Sequence, residues 1–152
     1  MVKFVAVCIF MLSCSFAFGN SKVELIDSTY QVTTKKFGLT FIEILSFDYG
    51  SNAEYLAKGC TSTRTGHCEG EFEVQNEVFI SSFKCDDNDY TFDRKFHLKY
   101  MKDPDNFTAK TYSSRWKGGK YFDYVRIEEE RLESLSLTEL LDELLDCSSF
   151  ED

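Results

Sequence analysis

The chain has 152 residues, of which 28% are charged, and a formal net charge of −9 at pH 7. Domains that bind nucleic acids carry a basic stripe, so this acidic balance argues against a nucleic-acid partner. There is no internal repeat and no low-complexity linker, and the length is that of one ordinary domain.

An apolar run at the N-terminus predicts a secretory signal peptide over residues 1–19. Lys3 precedes the apolar residues 4–18, and polar residues begin at Asn20. The run is shorter than the roughly 20 residues that cross a bilayer as a helix. No second apolar run follows it. We therefore expect a secreted, extracellular protein with no transmembrane segment after removal of the signal.

Four cysteines remain after removal of the signal, at Cys60, Cys68, Cys85 and Cys147. Because thiols oxidise outside the cell and no CxxC spacing is present, these residues predict two disulfides rather than a metal site. The sequence permits three pairings. Cys60 and Cys68 enclose a short polar loop, which favours that pair and leaves Cys85 for Cys147.

Residues 20–127 have the pattern of short strands, in a chain with fifteen Phe, eight Tyr and one proline. The most strand-like run is Leu39–Phe47, whose only charge is Glu43, and we expect both of its faces to be covered. Further strands are predicted over residues 71–74, 78–83, 91–100 and 121–127, with turn signals at residues 48–52, 86–89, 103–106 and 117–120. Such short strands predict an all-β fold, an antiparallel sandwich.

After Ile127 the spacing of apolar residues changes from the pattern of strands to that of a helix. Leucines at positions 137, 140, 141, 144 and 145 form one helical stripe, and Ser136 with Glu139 forms a capping box. This predicts a short amphipathic helix within residues 131–152 that packs on the β domain of residues 20–130. Residues 123–152 hold eleven acids and two bases. They predict a solvated helix face or, alternatively, a tail that docks on a basic partner.

Several motifs between residues 37 and 130 carry a family resemblance. They are TFIEILSF at residues 40–47, Gly59-Cys60, Cys68, Phe72-Glu73-Val74, and YSSRW at residues 112–116 followed by Tyr121 and Val125. Together they resemble the N-terminal module of Notch ligands of the Delta/Serrate/Jagged class. The resemblance implies a C2-like β-sandwich, which in those ligands contacts lipid headgroups, sometimes with calcium, and assists receptor engagement.

The chain also departs from that module. Gln75 stands where those ligands have a cysteine, which leaves Cys85 without a local partner and makes Cys147 its mate. No cysteine-rich receptor-binding domain or EGF repeat follows, so we do not expect a complete ligand.

The apical loops that the resemblance implies bring four oxygen-bearing residues to one end of the sandwich: Asp48, Asn52, Glu128 and Glu129. Calcium takes six to eight oxygen ligands, so these residues are a candidate calcium site. The alternative is a set of solvated turns. No other cofactor is predicted.

Two further surface features point to modification and contact. Asn106-Phe107-Thr108 is an N-glycosylation sequon. Trp116 stands beside Lys117 and Lys120 at a glycine turn, which suits contact with a membrane or partner if the indole is exposed. The alternative is a buried Trp that ends a strand.

No residue is predicted to be catalytic. His97 is expected on the surface of a strand, and His67 could ligate zinc only if its neighbour Cys68 were not in a disulfide. The chain has no GxSxG, HExxH or P-loop motif.

The expected function is that of a secreted, monomeric, non-enzymatic binding module that contacts a cell-surface receptor or phospholipid headgroups, in or around Notch signalling. The alternative is a secreted effector or inhibitor that binds a protein partner through the acidic C-terminal helix.

Overall fold

A computed structural model describes residues 25, 27–36, 39–62, 64–87, 89–145 and 147. The predicted signal peptide, residues 1–19, lies outside the described residues, as does the end of the acidic segment, residues 148–152. Among the described residues, no helix is both long enough and apolar enough to span a membrane.

Eight antiparallel strands form one closed barrel. The strands are β1 (Ser28–Lys36), β2 (Leu39–Phe47), β3 (Asn52–Gly59), β4 (Gly66–Gln75), β5 (Val78–Cys85), β6 (Thr91–His97), β7 (Asn106–Ser113) and β8 (Lys120–Arg126). Each strand pairs with the next along the chain, and β1 also pairs with β8. The predicted C2-like β-sandwich is therefore wrong. Alternating inward and outward residues suit both folds, and the pairing of the first strand with the last distinguishes the barrel.

Strand β2 has the predicted bounds, and both of its faces are covered. Leu45 and Phe47 face the barrel interior, whereas Ile42 and Ile44 belong to a second apolar cluster outside the barrel. The four predicted turns all lie between strands. Strands β1, β3 and β7 were not predicted, because several of their inward positions hold small or hydroxyl-bearing residues such as Ala53, Ala109 and Thr111, which weaken the apolar alternation.

Aromatic rings fill one end of the barrel. We call this end the base, and the opposite end, where β1–β2, β3–β4, β5–β6 and β7–β8 connect, the mouth. The rings at the base belong to Tyr30, Phe47, Phe72, Phe79, Phe96, Phe107 and Tyr124, with neighbouring centroids 4.8 to 6.4 Å apart. Leu25 and Met101 pack in the same cluster. Space in the lumen is therefore confined to the mouth.

Two helices follow the barrel, α1 (Glu129–Ser134) and α2 (Leu137–Leu144). The predicted capping box is present at the start of α2, where the Ser136 hydroxyl accepts from the Glu139 amide and the Glu139 carboxylate accepts from the Ser136 amide. Leu140 and Leu141 are fully buried in the second cluster, with Ile42, Ile44 and Leu56 of β2 and β3. The helix thus covers the outer face of these two strands.

All four predicted cysteines form disulfides, but the favoured pairing is wrong. The bonds are Cys60–Cys147 and Cys68–Cys85. Cys68 and Cys85 are register partners on the neighbouring strands β4 and β5, so strand pairing itself brings them together. Cys60 directly follows β3, on which α2 packs, and this packing places it beside Cys147.

The packing of α2 predicts a large effect of truncating Leu141. Leu141→Ala should lower the free energy of unfolding by about 2 to 5 kcal/mol, because a fully buried leucine leaves a cavity that its neighbours fill only in part. Urea unfolding followed by circular dichroism measures the change. Thr138→Ala, on the exposed face of the same helix, is the control. Equal effects of the two substitutions would show that α2 does not pack on the barrel.

Candidate functional site

A buried ion pair joins Arg94 of β6 to Glu43 of β2 inside the barrel. Arg94 Nη2 donates to Glu43 Oε2, and the two side chains are 2% and 14% exposed. The Tyr55 hydroxyl donates to the other carboxylate oxygen, Glu43 Oε1, at 2.9 Å. Both oxygens of this buried carboxylate therefore have donors, which offsets the cost of removing it from water.

Three aromatic rings surround the Arg94 guanidinium. Its Cζ lies 5.3 Å from the ring centroid of Tyr55, 5.4 Å from that of Phe122 and 5.7 Å from that of Trp116. These distances allow cation–π attraction. Yet Arg94 Nε, Arg94 Nη1 and Trp116 Nε1 are buried and have no hydrogen-bond partner within the described part of the chain. Buried donors without acceptors are rare and costly, so such a group beside a cavity points to a ligand.

Burial and charge together fix the protonation states of this cluster. Burial opposes the charge on Arg94, but the Glu43 carboxylate holds the pKa of Arg94 above its ordinary value. Burial, with the charge of Glu43, raises the pKa of Tyr55 well above its ordinary value. Burial also raises the pKa of Tyr124, whose hydroxyl lies 2.7 Å from Thr111 Oγ1. At neutral pH the cluster holds a guanidinium and two protonated phenols.

A cavity of about 790 Å³ adjoins the ion pair at the mouth. The ladder between β1 and β8 has only three residue pairs and ends at Val32 and Tyr124. Beyond these pairs the two strands are not bonded to each other, and their residues line the cavity from either side. The lining residues are Thr33, Thr34, Lys35, Phe41, Glu43, Tyr55, Ala57, Arg115, Trp116, Lys120, Tyr121, Phe122 and Asp123.

Three cations line this cavity: Lys35, Arg115 and Lys120. Among the described residues, none of the three is in an ion pair. The Arg115 guanidinium lies 4.5 Å from the ring centroid of Phe92, and its Nη1 donates to the Tyr55 hydroxyl at 3.2 Å. The Lys120 ammonium lies 5.0 Å from the ring centroid of Trp116.

The two acids in the wall are already engaged. Glu43 is paired with Arg94, and Asp123 accepts a hydrogen bond from Thr108. With Arg94 behind the wall, four cations and two carboxylates lie at this cavity, on a chain whose net charge is −9. The wall of this cavity is therefore locally positive.

The predicted calcium ligands lie elsewhere, and the structure brings only some of them together. Asp48 and Glu129 line a second cavity of about 850 Å³, between the helices and the outer edge of the base. Asn52 donates two hydrogen bonds to Asp48, and these bonds lower the pKa of Asp48. Glu128 is the exposed N-cap of α1. Among the described residues, no three His, Cys, Asp or Glu side chains are arranged to hold a metal ion, so calcium binding stays a prediction.

Other predicted contact residues have these positions. Asn106 is exposed at the start of β7, so its sequon is accessible and glycosylation stays a prediction. Trp116 is half-buried in the cavity wall, whereas Lys117 is exposed in the loop before β8. His97 is exposed on β6, as predicted.

His67 bridges two carboxylates at the mouth. Its Nδ1 lies 2.7 Å from Asp86 Oδ2 and its Nε2 lies 2.9 Å from Glu54 Oε1. Both ring nitrogens can donate at once only in the imidazolium form. The hydrogen bond to Asp86 is the main cause that raises the pKa of His67 above 6.5. Cys68 is bonded to Cys85, so it is not available as a zinc ligand beside His67.

Comparison with known proteins returns no matching family model, no matching curated protein and no matching solved structure. The resemblance to the Notch-ligand module stays a prediction, although the sandwich that it implied is not the fold. The chemistry of the mouth is therefore the guide to function, because a fold alone does not define a function.

Two residues that the sequence analysis predicted to make contacts lie in this candidate site. Trp116 and Lys120 were singled out as contact residues, and both line the cavity. Glu43 and Arg94 were not identified as functional, although a signal exists for each. Glu43 is the only charge in a nine-residue apolar strand. Arg94 alternates with Phe92 and Phe96 along β6, so its side chain faces the same side of the strand as these two rings.

The buried ion pair predicts strong coupling between Arg94 and Glu43. Arg94→Met alone should lower the free energy of unfolding by about 3 to 5 kcal/mol, because it leaves a buried carboxylate unpaired. The double variant Glu43→Leu/Arg94→Met should recover most of that loss, since no charge then remains buried. Urea unfolding of the two single variants and the double variant gives the coupling free energy. Additive losses would contradict the pair.

The His67 bridge predicts a pH-dependent stability. Because the pKa of His67 is raised in the folded state, its contribution is complete below about pH 6.5 and is lost as pH rises through the folded pKa. The difference in unfolding free energy between wild type and His67→Gln should therefore shrink from about pH 6 to about pH 9. The control His97→Gln keeps the bridge and should follow wild type. A constant difference for His67→Gln would exclude the bridge.

Proposed function

We propose that the protein is an extracellular, non-enzymatic binding protein that holds a small amphipathic molecule in the mouth of its barrel. The observation that carries this proposal is the buried, unpartnered indole N–H of Trp116 in the wall of a cavity lined by aromatic rings. A closed barrel of eight strands has an interior that is either filled by side chains or wide enough for one small ligand. Here the base is filled and the mouth is open.

The size and lining of the cavity support a small ligand. Binding pockets for small molecules have volumes of roughly 300 to 1,000 Å³ and combine an apolar wall with a few polar groups. The cavity at the mouth, of about 790 Å³, falls in this range. Phe41, Tyr55 and Phe122 supply apolar surface, and Trp116 supplies an indole with a free donor.

Binding is better supported than catalysis. The lining residues include no histidine and no cysteine, and the carboxylate of Glu43 is neutralised by Arg94. The groups at the mouth can thus orient a ligand, but they do not offer a base paired with a nucleophile. Two disulfides and the predicted signal peptide support an extracellular location.

The acidic C-terminal helix has less support as a binding surface. Its apolar stripe is buried against β2 and β3. Its acids also have partners within the chain: Glu139 caps the helix, Asp142 pairs with Lys58, and Glu143 pairs with Arg131. The effector alternative therefore stays a prediction that the contacts of this helix do not favour.

A neutral fluorescent probe tests the proposed function. Trp116 is the only tryptophan in the sequence and lines the cavity, so energy transfer from it reports a probe bound there. N-phenylnaphthylamine should quench Trp116 on binding. Ala57→Phe, which fills part of the cavity, should weaken binding at least about tenfold. Thr34→Phe, at a cavity-lining position on β1, should do the same.

The matched control is Val125→Phe, which adds the same ring on the exposed side of β8, away from the cavity. It should bind the probe as wild type does. Circular dichroism and thermal melts of the three variants establish that each is folded. Equal probe affinity in Ala57→Phe, Thr34→Phe and Val125→Phe would overturn the proposal.

A further inference from the structure

We infer that the cavity at the mouth selects amphipathic anions. The apolar body of such a ligand would lie against the aromatic wall, and its carboxylate would lie between Lys35, Arg115 and Lys120, the three cations that we call the rim. This inference rests on the proposed function and adds the chemical class of the ligand. It follows from three observations on the mouth: its charge, the fixed position of Arg115, and the engagement of Glu43.

The first observation is the unbalanced charge in the cavity wall. Lys35, Arg115 and Lys120 line the cavity and form no ion pair among the described residues. Several cations elsewhere also lack an ion pair among the described residues, so the distinguishing feature is that three of them line one cavity whose two acids are already engaged. A positive cleft on an otherwise acidic chain attracts anions and raises their local concentration. Neutral molecules gain nothing from this field, and cations are repelled by it.

The second observation is that Arg115 is held in place without using all of its donors. Its guanidinium Cζ lies 4.5 Å from the ring centroid of Phe92, and its Nη1 donates to the Tyr55 hydroxyl. Within the described chain, no acid accepts from its remaining N–H groups. A planar guanidinium matches a carboxylate bidentately, and a side chain fixed in advance loses less conformational entropy on binding. Arg115 is therefore the best-placed anchor for the carboxylate.

The third observation excludes a cationic ligand. Glu43 is the acid nearest the aromatic wall, and an amine would need its carboxylate. Both of its oxygens already accept, one from Arg94 and one from Tyr55. An ammonium group there would also face the buried charge of Arg94. In the cavity wall, the unpartnered N–H group of Trp116 adds a donor, which suits an acceptor oxygen of a ligand.

Carboxylates can arrive as free amphipaths or as lipid headgroups such as phosphatidylserine. The cavity favours the free molecule, because Trp116 is half-buried in its wall with a buried Nε1, whereas an indole that contacts a bilayer surface would be exposed. The inference therefore commits to a free amphipathic anion, and membrane binding becomes an outcome of the test.

Three probes with the same apolar chain test the selection: octanoate, octanol and octylammonium. Each competes with N-phenylnaphthylamine for the full secreted chain, with Trp116 energy transfer as the readout. Octanoate should displace the probe at a concentration at least about tenfold below that of octanol, and octylammonium should be the weakest. The advantage of octanoate should shrink at high salt, because salt screens exposed charges.

Variants assign the selection to the rim. Arg115→Gln should reduce the advantage of octanoate over octanol, because it removes a cation from the cavity wall. Arg115→Lys should restore part of it. Lys102→Gln, which removes an exposed cation at the base, is the matched control and should behave as wild type. If Arg115→Gln does not fold, the double variant Lys35→Gln/Lys120→Gln provides the same comparison at two exposed positions.

The outcomes separate the two claims. Equal displacement by octanoate and octanol would overturn the anion selection and leave the proposed function intact. Failure of N-phenylnaphthylamine to quench Trp116 at all would overturn the proposed function itself. Sedimentation with phosphatidylserine vesicles but no competition by octanoate would show that the mouth contacts a membrane surface and would overturn the inference of a free ligand.

Discussion

The buried charge of Arg94 is the constraint on which the rest of the barrel depends. A guanidinium removed from water needs a counter-charge and acceptors, and Glu43 supplies both only because Tyr55 satisfies its second oxygen. These three residues belong to different strands, so the requirement ties β2, β3 and β6 across the lumen. Aromatic rings pack towards the base, and Phe83 and Phe92 pack with Tyr55 towards the mouth, so the ion pair lies within an aromatic core. Its carboxylate, Glu43, also forms part of the cavity wall.

The mouth has one fixed side and one open side. Both disulfides lie on the side of β3, β4 and β5, where His67 also bridges Glu54 and Asp86. The packing of α2 holds β2 and β3 from outside. On the opposite side, β1 and β8 share only three residue pairs. In this arrangement a ligand can enter between β1 and β8, while the disulfides and α2 hold the opposite side of the mouth in place.

Sequence patterns within one segment predicted single strands and helices, but they did not predict which distant segments pair. The bounds of β2 follow from one apolar run, and the start of α2 follows from Ser136 and Glu139, three residues apart. The barrel is closed by the pairing of β1 with β8, which lie far apart in the sequence. A local hydrophobic pattern does not report such a pairing, so a sandwich and a barrel predict the same pattern of strands. The favoured disulfide pairing was wrong because Cys68 and Cys85 are register partners across the β4–β5 hairpin, and the sequence analysis did not predict this register. Glu43 and Arg94 were visible as isolated charges, but 51 residues separate them and only the barrel joins them.

The open seam between β1 and β8 has a further consequence for solubility. Past Val32 and Tyr124, each strand presents backbone donors and acceptors that the other does not use. Such free edges invite pairing with a second chain and, from there, aggregation. Lys35 on β1 and Lys120 on β8 lie along these edges, where desolvating an ammonium would oppose the addition of another strand. The same lysines that make the cavity wall positive thus protect the barrel from edge-to-edge association.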